Sequence, residues 1–121
     1  MAKGYLLTQD DDSVLMPGLI RHTVTAGITA STTQTQGNGP LTKDVNQIST
    51  VANPNDTVTL PSAVAGYQVY VINDGANTAK VFPASSDNLG SGVDTATTIG
   101  AGQAFLFIAY DDTNWKSIQL L

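Results

Sequence analysis

His22 is the only histidine in the 121-residue chain, and so the one plausible general base. A hydrolytic triad would set it beside a serine and a carboxylate. Its neighbours are Arg21 and Thr23 on a strand-like run, and no Gly-x-Ser-x-Gly elbow occurs in the sequence. His22 therefore reads as a surface or interface residue. The acids cluster at Asp10-Asp11-Asp12 and Asp111-Asp112. A calcium ion needs several oxygens at once. Neither cluster has the alternating Asp-x-Asp-x-Asp-Gly spacing, and there is no Glu to close such a loop. Adjacent Asp residues on an extended chain point to opposite sides, so both clusters read as solvated turns that deter edge pairing. Nothing places two of them across a sugar cleft, as glycoside hydrolysis requires. Gly90-Ser91-Gly92 and Gly100-Ala101-Gly102 open no helix and are followed by no Lys-Ser/Thr, so they read as turns and not phosphate loops. Tyr5, Tyr67, Tyr70, Tyr110 and Trp115 could stack on sugars, but aromatics in apolar strands more often fill a core. The expectation is a protein without catalytic residues, metal or cofactor.

The composition narrows the scaffold. Lys and Arg number 5 against 10 acids, all of them Asp, for a net charge of -5. Charged residues are 12% of the chain, about half the usual ~25%. Without Glu and with few Lys, the usual surface helix formers are missing. So few basic residues disfavour nucleic-acid binding, which needs cations against phosphate. No apolar run approaches the ~20 residues of a membrane span. With no Cys, disulfides and thiolate sites are excluded. Met1-Ala2-Lys3-Gly4-Tyr5 leads into the Asp triplet and not into an apolar stretch, so the chain reads as made and used without Sec export.

The apolar residues come in short bursts. Tyr67–Asn73 is β-branched and aromatic, bounded by Gly66 and Asp74-Gly75. Gln103–Tyr110 is apolar on both faces and predicts a central strand covered on both sides. Trp115–Leu120 follows after Asp-Asp-Thr-Asn, which predicts a C-terminal hairpin. Thr57–Leu60 alternates and stops at Pro61. Asn46–Val51 is a weaker strand, separated from it by the turn Asn53–Asp56. Asp74-Gly75 before Lys80-Val81-Phe82 signals a further hairpin with a longer loop. Leu19–Ala26 is strand-like. Ile28 to Pro40 is small and polar, with only Ile28 to bury, and alone it could not offset the entropy of ordering. It is either a linker or an arm that orders against another subunit, and the arm is favoured because a Thr-rich strand can add to a neighbour's sheet edge. The fold class is all-β: a single small antiparallel sandwich or barrel over residues 41–121, with an extended N-terminal arm over residues 1–40.

The runs Thr57–Pro61, Gly66–Asn77, Val81–Asp87, Ile99 with Gly102, Ala109–Asp111 and Asn114-Trp115, taken in that order, resemble a β module of tailed-bacteriophage virion proteins. Such modules occur in head decoration (cement) proteins and in some head or tail fibre proteins. The resemblance spans about residues 46–121 and marks strands and turns, not a catalytic site. It implies a non-enzymatic decoration protein on the capsid exterior, assembled in the host cytoplasm. It further implies a homotrimer that bridges major capsid subunits and binds neither nucleic acid nor membrane. Residues expected at a capsid or subunit interface are Tyr5, Leu6, Leu7, Val14, Leu15, Met16 and Ile28, apolar on a chain with little local support. The alternative is a glycan-binding head or tail fibre or adhesin module, with Tyr110 and Trp115 as the contacts.

Overall fold

The computed structural model describes residues 21–121. Its eight strands are β1 (Val24–Thr29), β2 (Val45–Thr50), β3 (Asp56–Thr59), β4 (Gln68–Asn73), β5 (Ala79–Phe82), β6 (Thr97–Ile99), β7 (Ala104–Ala109) and β8 (Trp115–Gln119). They form a five-stranded sheet, β1-β2-β4-β7-β8, and a three-stranded sheet, β3-β5-β6. The molecule is an all-β sandwich, and neither sheet closes into a barrel.

The two sheets are linked by a repeated step that the sequence does not advertise. β2 turns a corner into β3, and β4 turns a corner into β5. β2 lies parallel to β4, and β3 parallel to β5. β6 and β7 make a third step in reverse, antiparallel to β5 and β4 respectively. Each step therefore gives one strand to each sheet, and three corners stack on one another. Both sheets are mixed, not antiparallel as expected, because successive steps run the same way and a corner, unlike a hairpin, does not reverse the chain within a sheet.

Asn73 holds the stacked corners together. It is fully buried at the end of β4. Its Nδ2 donates to the carbonyls of Asn77 and Ile99, both at 2.9 Å, and its Oδ1 accepts the Gly75 N–H at 2.9 Å. Asn77 Nδ2 donates onward to the Val51 carbonyl of the corner before it, at 2.8 Å. A Cβ on Gly75 would stand 2.6 Å from Val51 Cγ2 and 2.7 Å from the Val51 nitrogen, so only glycine fits there. The Asp74-Gly75 signal thus marks a corner between sheets. The expected hairpin is absent because these side-chain bonds redirect β5 away from β4. The C-terminal hairpin does form, with Ala109 opposite Trp115 and Leu106 opposite Ile118.

The expected boundary at residue 40 does not divide the described chain. β1 pairs in parallel with β2, and strand begins at Val24 within the Leu19–Ala26 run. Residues 31–41 then run along the free edge of β3. Ser31 and Thr57 exchange two N–H···O bonds of 2.9 Å, Leu41 N–H donates to Thr59 O at 2.9 Å, and Thr59 N–H donates to Gly39 O at 3.0 Å. Gly39 passes so close to the Thr57 carbonyl that a side chain could not be accommodated, and its φ is +59°. The threonine-rich stretch does order by joining a sheet edge, but the edge belongs to its own chain. Backbone bonds at its ends and the Gln34 and Gln36 side chains between them hold it, the latter donating to Pro54 O, Asp56, Pro83 O and Asp94, and only Leu41 reaches the core.

The core lies between the sheets. Ile48, Val69, Val71, Phe107 and Trp115 pack from the larger sheet against Val58, Leu60, Val81 and Ile99 from the smaller. Burying each is worth roughly 1.5–3 kcal/mol. The Phe105 and Phe107 rings stack with centroids 6.0 Å apart.

Candidate functional site

His22 lies at the start of β1, with its Nδ1 3.7 Å from Asp44 Oδ2 and its ring 6.1 Å from that of Tyr70. Asp44 is held below the usual carboxylate range first by the Thr23 N–H, then by the Thr23 hydroxyl, with the His22 charge a lesser cause. Thr23 and Asp44 join the start of β1 to β2, Thr23 N–H donating to Asp44 Oδ2 at 3.2 Å and Asp44 N–H to the Thr23 hydroxyl at 3.1 Å, while the exposed His22 contact adds little. Among the described residues no hydrogen bond links His22 to a serine. Asp111 caps the β7–β8 turn, accepting the N–H groups of Thr113 at 2.8 Å and Asn114 at 2.7 Å. Its carboxyl is also held low, chiefly by the Asn114 side chain. Asp112 accepts the Ala65 N–H at 3.0 Å. Asp111 closes its own turn, and Asp112 ties that turn to the loop before β4. No cluster of three metal-ligating side chains occurs among the described residues.

The two proposed sugar contacts separate. Tyr110 is 63% exposed at the hairpin tip, whereas Trp115 is 1% exposed and part of the core. Trp115 cannot serve as a stacking platform, because its position opposite Ala109 turns it inward between the sheets. Ile28 is likewise corrected: it pairs with Ile48 and packs against the protein's own core. Tyr5, Leu6, Leu7, Val14, Leu15, Met16 and the Asp10–Asp12 cluster lie outside the described residues. Two shallow depressions of ≈ 180 and ≈ 220 Å³ dent the surface, below the roughly 300–1,000 Å³ of small-molecule sites.

What the structure does assemble is an apolar row on the outside of the five-stranded sheet. β7 is central within that sheet, as expected, but among the described residues only one of its faces is covered. On the other, directly paired residues form a row across all five strands: Val24 opposite Val45, Val45 opposite Tyr70, Tyr70 opposite Leu106, and Leu106 opposite Ile118. Val24 is 58% and Ile118 46% exposed, and the three between are half-buried. Ile72, Ile108 and Leu120 flank the row by the same alternation.

Comparisons with protein-family models, with curated proteins and with solved structures find no match. The sheet face therefore has to be interpreted from its own chemistry. Sequence reading missed it because two-sided apolar strands were assigned two covers. The signal was present in the alternation of Tyr70, Ile72, Leu106 and Ile108 with the inward Val69, Val71, Phe105 and Phe107. A soluble sheet normally makes that outer set polar.

Proposed function

We propose that the chain is a non-enzymatic capsid decoration (cement) protein of a tailed bacteriophage, acting as a homotrimer on the outer surface of the head and bridging major capsid subunits. The observation that carries this reading is the open apolar row from Val24 to Ile118. An exposed apolar face of this kind supports macromolecular contact. The ordered scaffold behind it supports the same role. The stacked corners and the edge cover along β3 fix the surface rigidly, so little entropy is lost when it docks. Low Lys content and the absence of Glu reduce side-chain ordering costs further. Several weak contacts per trimer act together on a lattice. The residues that carry the phage-module resemblance fall on the corners and on β3 to β8.

The test is co-sedimentation with assembled heads lacking the protein, followed by heating of the particles. The expected results are saturable binding, a raised temperature of genome release, and loss of both in Leu106→Asp with the fold retained. Heads equally robust without the protein, or unimpaired binding by Leu106→Asp, overturn the reading.

A further inference from the structure

We infer that β8, the outer strand of the five-stranded sheet, pairs edge to edge with β8 of a second copy of this chain, antiparallel across a two-fold axis at Ile118. β8 ends the sheet order β1-β2-β4-β7-β8. Its pairing with β7 runs through five consecutive positions without a bulge. Short strands, bulges and covering segments are the usual means of keeping a sheet from adding a strand. Among the described residues each of the other edges has one. Residues 31–41 lie along β3, β6 is three residues long, and the register of β1 shifts on both sides of Ile28. β8 has only the charge of Lys116, and every one of its residues after Trp115 is exposed.

The backbone fixes which groups the edge offers. Leu120 N–H donates to Ala104 O at 2.7 Å, and Tyr110 N–H donates to Asn114 O at 3.1 Å. The even-numbered residues of β8 therefore turn their N–H and C=O toward β7, and the odd-numbered ones turn theirs outward. Trp115 N–H is already given to Asn88 O at 2.9 Å, and Leu121 N–H turns back to Ala104 O at 3.3 Å. Among the described residues, Ser117 and Gln119 are left with both backbone groups outward and free. An identical antiparallel strand satisfies all of them when Ser117 of each copy faces Gln119 of the other. Registers centred on Ser117 or on Gln119 would instead call on the engaged N–H of Trp115 or of Leu121.

The side chains agree with that register. Ile118 falls on the axis beside its own mate, so the apolar row continues from one copy into the other. Lys116 stands beside the partner's Leu120 and not beside a second lysine, which avoids opposed like charges. On the other face Gln119 Nε2 donates to Leu121 O at 3.0 Å, leaving its Oε1 to accept the hydroxyl of the partner's Ser117. A two-fold contact must be complementary to itself, and this edge is so in backbone groups, apolar row and charge. The inference goes beyond the proposed function and does not rest on it. A trimer would carry three such edges, so on a lattice the pairing would join one trimer to the next.

The chain has no cysteine, so I118C and L120C in the full chain read the register directly. In the inferred pair the two copies of position 118 form a non-hydrogen-bonded pair with Cα atoms about 4.5 Å apart, within disulfide reach. The two copies of position 120 stand about 13 Å apart along the strands, at about 3.3 Å per residue. Mild oxidation is expected to join most I118C chains in pairs and few L120C chains. The unsubstituted chain is expected to sediment with an even number of chains, and S117P with half that mass. Proline removes only the outward N–H of Ser117 and no bond to β7. Hydrogen exchange on the unsubstituted chain needs no variant to fold. The Ser117 and Gln119 amides are expected to exchange slowly at high concentration and faster on dilution, while the Ile118 amide stays slow. Cross-links no more frequent in I118C than in L120C, an odd number of chains, an unchanged mass in S117P, or fast exchange at Ser117 and Gln119 at every concentration overturns the inference. No particle enters these measurements, so their failure stands apart from failure of shell binding.

Discussion

Replacing Asn73 by Asp changes one nitrogen to oxygen at the buried hub of the stacked corners. The Gly75 N–H keeps its acceptor. The carbonyls of Asn77 and Ile99, each receiving a 2.9 Å bond from Nδ2, instead face an oxygen. If the new carboxyl takes up a proton, its hydroxyl restores one of those bonds. The loss is then one buried hydrogen bond, about 1 kcal/mol. Keeping the group protonated has its own cost, which depends on pH. An ordinary Asp titrates near 3.9, so holding it neutral at pH 7 costs about 4 kcal/mol at about 1.4 kcal/mol per pH unit. The variant is therefore expected to be less stable than the parent by about 1 kcal/mol at pH 3.5 and by up to about 5 kcal/mol at pH 7. The sign follows from linkage. Burial among carbonyl oxygens raises the folded-state pKa above the unfolded value, so the relative stability of the variant is complete below about 3.9 and is lost as pH rises. Urea unfolding of both proteins across this range measures the difference. An equal deficit at both ends, or a deficit under 1 kcal/mol at pH 7, would refute the role given to Asn73.

Gly75→Ala should lower stability by about 1–3 kcal/mol through overlap with Val51 backbone and side chain, seen as a lower urea midpoint at unchanged slope. Trp115→Ala should cost about 3–5 kcal/mol as a core truncation, and a glycan array should show no sugar binding that depends on this residue. Asp44, Asp94 and Asp111 all have carboxyls held below their ordinary range by hydrogen bonds, led respectively by the Thr23 N–H, the Gln36 side chain and the Asn114 side chain. Their contribution to stability is present above about pH 4 and fades as pH falls through the lowered values. Asp111→Asn should flatten the acid limb of a thermal melting series.

Most strands were legible because they are bursts of β-branched and aromatic residues with turn residues at their ends. The β7–β8 hairpin was legible for the same reason. β6 was not, having only Ile99 as an apolar residue, and the end of β1 was read as part of the arm. How strands divide between sheets was not, because Asp74-Gly75 looks alike in a hairpin and in a corner. What decides between them is a set of bonds from Asn73 and Asn77 to residues far along the chain. A trace of the answer was in the alternation: with Val69 and Val71 inward, Asn73 must be inward too, and a buried amide needs partners. Residues 31–41 were misassigned because composition counts apolar burial, whereas this segment is held mainly by backbone bonds to β3 and by the side chains of Gln34 and Gln36. The open sheet face was visible as surplus hydrophobicity, but its row exists only once register aligns Val24, Val45, Tyr70, Leu106 and Ile118.

The corner-linked steps leave overall length as the quantity that the architecture does not constrain. Each step carries its own share of both walls, and it meets only the steps above and below. A duplicated segment from Val45 to Tyr67 would slot between existing steps and widen both walls together. The strip along β3 and the terminal β8 would still close the two ends. Such a build can be tailored to the distance it must bridge without redesigning its interior.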